Sequence, residues 1–596
     1  MFSLSRLARS RYIVSRCLVK CYSMKSAHQK SWKAVLFDAG GVLVASPFPA
    51  FRRFENDNDL TPGTLTKVIQ NAGDTGPFAK LERGEFTVPE FCEKFDDDIR
   101  KATGKEVNSR ALMNEIESAT QRPVYEMFDA IRCIRAENIK TALVTNNWIT
   151  ENQSISDYLP KNLFNEVFES CKEGKAKPDP SVYATVLSRL NVAPNDTIFL
   201  DDIGRNLKRA RELGIHTIKV DQPKEALREL EALLGFPLSG YVNGTLAVKK
   251  QHRLPIDSLI LYLRRTLGLN QEGPPNVRKF KHGQSNPTYF VGYGGEDLVL
   301  RKKPPGKLLA SAHQVEREYK VMKAVGSVGV PVPTVLDLCE DESVLGTPFY
   351  VMKYVHGEVL IDPTLKNLTL EQRQKVYMNT IETLAKIHLV DLKACDLMDY
   401  GKHGNYISRQ VARWTRQYKA SQTSSIPSME RLIKWLPENL PSKDRTTIVH
   451  GDYRIDNLIF SENYDVVAVL DWELSTLGDP IADLASACFA YHIDQNLPGL
   501  RGLNGVDLES LGIPSEDECV AHYCSKMGYE QIDDWNIYIA FCFFRMAAII
   551  QGVYKRATQG QASAENAEMI GMLTEYMSNL GWKYAEEEQT NKKSKL

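Results

Sequence analysis

His450-Gly451-Asp452-Tyr453-Arg454-Ile455-Asp456-Asn457 is the stretch that decides the fold of the second half of the chain. Val469-Leu470-Asp471-Trp472-Glu473 follows it after residues 458–468. Together these segments supply the polar groups that phosphoryl transfer from ATP requires: a carboxylate, Asp452, that accepts a proton from a hydroxyl acceptor, and two Mg²⁺ ligands, Asn457 and Asp471. The apolar residues 447–449 and 466–470 predict short strands that hold the loop rigidly. The sequence therefore predicts a catalytic loop for phosphoryl transfer.

The complete spacing carries this prediction. An isolated H-x-D triplet is also typical of an ordinary capped turn. Here the triplet is extended to H-x-D-x-x-x-x-N, and an apolar strand with a second aspartate follows. This combination favours a catalytic loop over a turn.

Residues 276–360 have the pattern expected of a nucleotide-binding lobe upstream of that loop. Ser285 and Asn286 lie in a turn of small residues that is suited to bring backbone N–H groups over phosphates. A predicted strand ends in Arg301 and Lys302, and a predicted helix carries Glu318. We expect one of the two cations to pair with Glu318, although a solvated charge run is the alternative for each residue. The segment 349–355 resembles the strand that leads to the hinge of a kinase.

These motifs resemble the aminoglycoside phosphotransferase-like family of small-molecule kinases, over residues 255 to about 580. The family pattern is H-G-D-x-x-x-x-N, then D-W or D-x-E, then G-D-P-x-x-D, which is Gly478–Asp483 here. The resemblance implies a two-lobed α+β protein-kinase-like fold, with ATP and Mg²⁺ as cofactors and a small-molecule substrate.

Residue by residue, the resemblance implies that Asp452 is the catalytic base, that Asn457 and Asp471 are magnesium ligands, and that Glu318 positions the strand cation. Arg301 falls where the family usually has lysine, and Lys302 follows it, so which cation contacts ATP stays open. Asp479 and Asp483 are expected to stabilise loops and a helix start rather than to take part in chemistry.

The first half of the chain carries a second set of polar clusters. Asp38 follows the buried-type strand 34–37, Thr145 follows 141–144, and Asp201 with Asp202 follows 197–200. A further cluster holds Lys177. Alternating strands and helices predict a parallel sheet, whose ligands gather at the carboxyl ends of the strands. We expect all four clusters to lie at such ends, although each alone resembles an ordinary loop.

The order of carboxylate, hydroxyl, lysine and paired carboxylates resembles the haloacid dehalogenase-like hydrolase superfamily, with an α/β Rossmann-like domain. The resemblance implies that Asp38 is the nucleophile, that Thr145 and Lys177 hold the phosphate, and that Asp38 and Asp201 bind Mg²⁺, with Asp202 as the alternative ligand. The segment from about 47 to 123 would be a helical cap.

Position 40 departs from that superfamily. Its phosphatases carry a second aspartate two residues after the nucleophile, which protonates the leaving oxygen, and this chain has Gly40 there. Loss of such a group costs on the order of 10²–10⁴-fold in rate. We therefore expect weak or absent phosphatase activity; a phosphate-binding regulatory module and a structural domain are the alternatives.

Composition agrees with several compact units. With 596 residues, the chain exceeds a single core, and its 74 basic and 75 acidic residues imply neither a nucleic-acid partner nor a membrane surface. Eleven scattered cysteines indicate reduced thiols. No apolar run reaches the roughly 20 residues of an integral membrane segment. The predicted domains are residues 31–236, a linker at 237–254, the kinase-like domain at 255–585 and a tail at 586–596.

Both termini have the composition of targeting signals. Residues 1–30 contain several basic residues and serines and no acidic residue, as in a mitochondrial presequence; a disordered basic tail is the alternative. Ser594-Lys595-Leu596 is a peroxisomal tripeptide. The sequence therefore predicts mitochondrial and/or peroxisomal location.

The succession of the two domains resembles the N-terminal half of the large acyl-CoA dehydrogenase family proteins, members ten and eleven. This resemblance implies a kinase for the hydroxyl of a 4-hydroxyacyl-CoA in fatty-acid catabolism, with an acyl-CoA as substrate. A dehydrogenase domain is not expected on this chain, so a separate acyl-CoA dehydrogenase would be its partner. Arg409, Arg413 and Arg416 share one helical face that is suited to coenzyme A phosphates or is simply solvated, with Val411 and Trp414 facing inward.

Two other functions remain open from the sequence. One is a phosphatase that acts through Asp38. The other is a catalytically silent scaffold that binds acyl-CoA or nucleotide and a dehydrogenase.

Overall fold

The computed structural model describes residues 31–150, 153–281, 286–305, 314–498, 500–559 and 567–595. The chain forms two compact units that divide between Arg253 and Leu254. The predicted presequence, Ser285 and Leu596 lie outside the described residues.

The first unit contains a parallel sheet and a helical insertion. Its elements are β1 (Ala34–Phe37), α1 (Phe48–Asp57), α2 (Thr64–Ala72), α3 (Pro77–Glu82), α4 (Val88–Thr103), α5 (Ser109–Thr120), α6 (Tyr125–Ala136), β2 (Lys140–Thr145), α7 (Ile155–Tyr158), β3 (Glu166–Glu169), α8 (Ser170–Glu173), α9 (Pro180–Leu190), β4 (Thr197–Asp201), α10 (Gly204–Glu212), β5 (His216–Lys219), α11 (Pro223–Leu234) and β6 (Thr245–Ala247).

The sheet has the strand order β3–β2–β1–β4–β5, and all of these pairs are parallel. Alternate residues of β1 point to opposite faces, as strand geometry requires: Val35 and Phe37 join a core with α6 and α11, while Ala34 and Leu36 join a core with α9 and α10. Both faces are thus covered, which explains the continuous apolar runs of β1 and β4.

The insertion α1–α5 forms a cap with its own core, built from residues such as Phe54, Phe91, Phe95 and Ile116. The range 47–123, predicted as a helical cap, contains these five helices. Thr87 begins α4 with a reciprocal capping box to Glu90, a local signal that the sequence carries plainly.

The second unit begins with an antiparallel sheet and continues into helices. Its elements are α12 (Ile256–Leu267), β7 (Asn276–Phe280), β8 (Thr288–Tyr293), β9 (Glu296–Lys302), α13 (Val315–Gly326), β10 (Val335–Cys339), α14 (Glu342–Leu345), β11 (Phe349–Lys353), α15 (Leu370–His388), α16 (Tyr406–Ser421), α17 (Pro427–Glu438), β12 (Thr447–Val449), β13 (Leu458–Phe460), β14 (Val466–Val469), β15 (Thr476–Gly478), α18 (Pro480–Ala487), α19 (Leu508–Leu511), α20 (Glu516–Met527), α21 (Trp535–Thr558) and α22 (Ala567–Lys595).

Strands β10, β11, β9, β8 and β7 lie side by side in that order, and each neighbouring pair is antiparallel. Helix α13 packs on this sheet. Two short antiparallel pairs, β12 with β15 and β13 with β14, frame the loop 450–457. The predicted order of sheet, helix, hinge strand and catalytic loop is therefore present.

Helix α21 is the one helix in the described part of the chain that is long and apolar enough to cross a membrane, judged by length and composition alone. Of its most apolar window, 67% is buried inside the protein, where it packs against α22, α16 and α18. Such burial is that of a core helix.

Three details of the sequence interpretation are wrong. The loop with Lys177 does not follow a strand directly, because the short helix α8 intervenes after β3, which the sequence did not predict. The predicted linker at 237–254 contains β6. The predicted tail from residue 586 is helical to Lys595, since α22 continues through it. Ala585, just before the tail, and Glu588, within it, are buried.

Candidate active sites

The carboxyl edge of the parallel sheet brings four predicted residues of the first unit together. Asp38 follows β1, Thr145 ends β2 and Asp201 ends β4, and all three are buried. Lys177 reaches them from its loop: its Nζ lies 2.8 Å from Asp38 Oδ1 and 2.7 Å from Asp201 Oδ2. Burial raises the pKa of Asp38, and the positive charge of Lys177 acts in the opposite direction. Burial lowers the pKa of Lys177, but the two carboxylates outweigh it and keep the lysine cationic.

Asp38, Asp201 and Asp202 each offer a carboxylate oxygen, and these oxygens lie within 4.8 Å of one another. Hard oxygen donors at this spacing suit Mg²⁺, so all three residues fit the metal, and the sequence's alternative between Asp201 and Asp202 stays open. Asp201 is fixed by Ile203 N and Asn206 Nδ2. Burial raises the pKa of Asp202 to about 6.

The glycines after Asp38 have different constraints. Gly41 has φ +74°, and a Cβ there would lie 2.2 Å from Asp202 Oδ2, so only glycine fits. At Gly40 a Cβ would meet only Pro47 Cδ, at 3.6 Å, which is ordinary contact. The missing acid is therefore not explained by lack of space.

The loop 450–457 of the second unit is built around Asp452. Asn457 Nδ2 donates to Asp452 O at 2.8 Å and to Asp452 Oδ2 at 3.3 Å. His450 Nδ1 accepts from Asp452 N at 3.2 Å, and the other ring nitrogen, Nε2, lies 2.8 Å from Leu470 O. These contacts fix the Asp452 carboxylate within the loop and connect the loop to Leu470, the residue before Asp471.

Asp483, on α18, fixes the first residues of the loop through their backbone N–H groups. It is buried and accepts from His450 N at 2.5 Å and Gly451 N at 2.9 Å. Burial raises the pKa of Asp483, but these bonds and His388 hold it below its usual value. Asp479 caps α18 through Ile481 N and accepts from Tyr538 OH. Both residues thus have the structural roles that the sequence predicted.

Arg301 is the cation that pairs with Glu318. Its Nε lies 2.8 Å from Glu318 Oε2, and its Nη2 lies 2.6 Å from Asp471 Oδ1 and 3.4 Å from Glu473 Oε2. Lys302 instead donates to Leu345 O at 2.6 Å. A planar guanidinium can contact several carboxylates at once, which an ammonium cannot do in the same geometry. This geometry resolves the choice between the two cations for the pairing.

Asn286 completes this cluster. Its Nδ2 donates to Glu318 Oε1 at 2.9 Å, and Tyr350 OH donates to Glu318 Oε2 at 3.1 Å. Burial raises the pKa of Glu318, and Arg301 opposes that rise. The side chain of Asn286 therefore stabilises the ion pair.

Asn457 and Asp471 have the donor chemistry that Mg²⁺ prefers. Because the amide nitrogen of Asn457 is directed at Asp452, its metal-binding capacity resides in Oδ1. Asp471 follows β14 in the left-handed region, with φ +63°, and this turn directs its carboxylate at Arg301. The residues fit a magnesium site beside Asp452.

Sequence reasoning missed several residues of both sites. In the first unit it missed Glu82 and Asn206, which holds Asp201, and it gave no role to Asn146, although Asn146 directly follows Thr145. In the second unit it missed His388, which contacts Asp483, and Tyr350. Except for Asn206, which lies five positions from Asp201, these residues make their contacts with residues far apart in the chain, so no local signal was present.

The family model of haloacid dehalogenase-like hydrolases matches residues 32–214, and that of the phosphotransferase enzyme family matches residues 276–509. A crystal structure of a putative aminoglycoside phosphotransferase from Ralstonia eutropha is 43% identical, with a TM-score of 0.51, and covers 56% of this chain and 99% of that one. The chain therefore consists of a haloacid dehalogenase-like domain followed by an aminoglycoside phosphotransferase-type domain, the fold of a small-molecule kinase.

Acyl-CoA dehydrogenase family member 10 of Mus musculus is 49% identical over 563 residues, which are 94% of this chain and 52% of that protein. Acyl-CoA dehydrogenase family member 11 of Homo sapiens is 40% identical over 340 residues, 56% of this chain and 43% of that protein. The chain is thus a homologue of acyl-CoA dehydrogenase family members 10 and 11. It spans about half the length of the curated relatives that it matches.

Proposed function

We propose that the second unit is an ATP- and Mg²⁺-dependent kinase that phosphorylates a hydroxyl group, and that its acceptor is a 4-hydroxyacyl-CoA. The observation that carries the kinase proposal is the contact of Asn457 with Asp452 beside the Arg301–Asp471 pair. This arrangement supplies a base, two metal ligands and a buried cation within one site.

In the proposed reaction the acceptor oxygen attacks the γ-phosphorus of ATP. Asp452 takes the hydroxyl proton as the new P–O bond forms, and the bond to the bridging oxygen of ADP breaks. Mg²⁺ held by Asn457 and Asp471 would neutralise phosphate charge. Arg301, held by Glu318, stays cationic because the surrounding carboxylates raise its pKa against burial.

The acyl-CoA acceptor is supported by the names of the curated relatives. Phosphorylation turns a hydroxyl into a good leaving group, so a later elimination or oxidation would consume the product. We propose that an acyl-CoA dehydrogenase, separate or on a longer chain, is the partner in fatty-acid β-oxidation. Mitochondrial and/or peroxisomal location would place the enzyme beside that pathway.

The first unit is a second candidate active site, for a phosphatase that acts through Asp38. The ion pairs of Lys177 with Asp38 and Asp201 favour it, since they assemble a nucleophile and a phosphate-binding cation. Gly40 supplies no proton, so Asp38 and Lys177 alone would support only weak hydrolysis.

Acceptor-dependent release of ADP tests the kinase proposal. Hydroxyacyl-CoAs of several chain lengths, aminoglycosides, choline and sugars are supplied with Mg²⁺-ATP, and only the 4-hydroxyacyl-CoAs are expected to raise ADP release far above the background. Preference for a sugar or an aminoglycoside would reject the acyl-CoA assignment. No acceptor-dependent release with any compound would favour a silent scaffold.

The basic face of helix α16 is the proposed binding site for the coenzyme A phosphates, and substitutions on this helix test it. Arg413 and Arg416 are exposed there, Val411 and Trp414 are buried as predicted, and Arg409 donates to Lys402 O at 2.8 Å. The double variant Arg413→Gln with Arg416→Gln should raise KM for the acyl-CoA and not for ATP, and the effect should vanish with a pantetheine-truncated acceptor. Lys419→Gln, exposed on the same helix, is the matched control. Equal kinetics of the double variant and the control would discard this face as the coenzyme A site.

A further inference from the structure

The first unit contains a cavity of about 300 Å³ between the carboxyl edge of its sheet and the cap. One end is polar and includes Asp38, Thr145 and Lys177. The cap helices contribute a group of apolar side chains that includes Phe51, Ile69, Phe78 and Ile116, beside polar residues of the same helices. Such a cavity suits a phosphate monoester whose alcohol carries an apolar group, with the phosphate at Lys177 and the alcohol against the cap.

A second carboxylate faces this cavity from the cap. Glu82 is the last residue of α3 and lines the same space as Asp38. Asn146 Nδ2 lies 3.3 Å from Glu82 Oε2 and donates to Lys177 O at 3.0 Å. Asn146 Oδ1 in turn accepts from Lys177 N at 2.8 Å. One amide thus ties the cap carboxylate to the loop whose lysine contacts Asp38.

We propose that Glu82 is the proton donor to the leaving alcohol in this cavity, in place of the acid that Gly40 does not supply. Asp38 Oδ attacks phosphorus, the ester P–O bond breaks, and the Glu82 carboxyl proton passes to the departing oxygen to give a neutral alcohol. The Glu82 carboxylate then takes a proton from water, whose oxygen attacks the phosphorus, so that phosphate leaves and Asp38 is restored. The proposal concerns the first unit and is independent of the kinase reaction.

The surroundings of Glu82 suit this role. Burial raises its pKa to about 7, against the opposing charges of Arg205, Lys177 and Arg83. Glu117, on α5, also lines the cavity. A carboxyl with such a pKa is protonated in a large fraction of molecules near neutral pH, as a general acid requires.

Leaving-group dependence tests the proposal on the full chain with Mg²⁺. The substrates are n-hexyl phosphate, whose alkoxide needs a proton, and p-nitrophenyl phosphate, whose phenolate leaves without one. Glu82→Gln should lower kcat/KM for n-hexyl phosphate by about 10²–10³-fold and change the aryl substrate by less than about fivefold. Wild-type kcat/KM for the alkyl substrate should fall as pH rises above about 7, as loss of the Glu82 proton requires. This decrease of kcat/KM at high pH should be absent in Glu82→Gln.

Three further measurements separate this role from a structural one. Glu93→Gln, at an exposed carboxylate of the cap helix α4 outside the cavity lining, should leave kcat/KM for both substrates unchanged. The affinity for inorganic phosphate, measured by calorimetry, should be equal in wild type and Glu82→Gln. In the presence of Gly40→Asp, Glu82→Gln should cost little, because the new carboxyl can donate. An equal loss for both substrates, no loss for the alkyl substrate, or absence of turnover of both by the wild type would overturn the proposal.

Discussion

Arg301→Met should strongly destabilise the second unit. Arg301 is 7% exposed and Glu318 is 1% exposed, so the substitution leaves a buried carboxylate without its cation. Breaking a buried pair by removing one partner costs about 3–5 kcal/mol. Asn286 and Tyr350 still donate to Glu318, which places the expected loss toward the lower end of that range.

The loss of folding stability in Arg301→Met should also depend on pH. Burial raises the pKa of Glu318 above its ordinary value of 4.5, and removal of Arg301 raises it further. A carboxyl whose pKa is raised by folding favours the folded state below its unfolded-state pKa, and this contribution is lost as pH rises through the folded-state pKa. The variant should therefore be closer to wild type at about pH 5 than at about pH 8.

Calorimetry of the full chain measures this effect. The transition of the second unit is the one that Mg²⁺-ATP shifts upward in the wild type. At about pH 8, Arg301→Met should lower the Tm of that transition by roughly 5–15 °C. Lys302→Met is the matched control, because Lys302 is half-buried with a single hydrogen bond to Leu345 O, worth about 1 kcal/mol. Equal Tm values for the two variants, or a loss that is larger at low pH, would refute the reasoning.

Three further outcomes are expected. Asp471→Ala should weaken binding of Mg²⁺-ATP by about tenfold or more in calorimetric titration, because it removes a metal ligand; unchanged affinity would contradict the metal role. Gly40→Asp should fold with the wild-type Tm, since its Cβ meets only Pro47 Cδ at 3.6 Å, and should restore hydrolysis of alkyl phosphates to Glu82→Gln; a lower Tm would show that the turn needs glycine. In cells, a fluorescent fusion with a free C-terminus should enter mitochondria when translated from Met1 and peroxisomes when translated from Met24, and an unchanged distribution of the Met24 form without Ser594–Leu596 would exclude the peroxisomal signal.

Local patterns predicted the strands and the loops that carry both sites. The bounds of β1 agree with its apolar run, and Asp38 and Asp201 stand at strand ends because parallel strands share a carboxyl edge. The spacing in 450–457 likewise predicted the loop around Asp452. These features depend on periodicity and on turns, which a sequence displays directly.

Contacts between distant residues could not be predicted in the same way. Arg301 and Asp471 are 170 positions apart, and their pairing depends on the left-handed turn at Asp471. Glu82 reaches the Asp38 site only because the cap closes over the sheet, and Asn146 meets it across 64 positions. The sequence predicts a tail at 586–596, whereas helix α22, which packs against α21 and α17, continues to Lys595.

Phosphorylation of the acceptor by wild type and Asp452→Asn tests the central claim most directly. Mass spectrometry follows the phosphate on a 4-hydroxyacyl-CoA supplied with Mg²⁺-ATP, and Asp465→Asn, in the turn between β13 and β14, is the control. We expect the Asp452→Asn rate to be about 10²–10⁴-fold lower, with nearly unchanged ATP affinity, because the base contacts the acceptor and not the nucleotide. Phosphorylation by Asp452→Asn at a rate near that of the wild type and of the control would contradict the account.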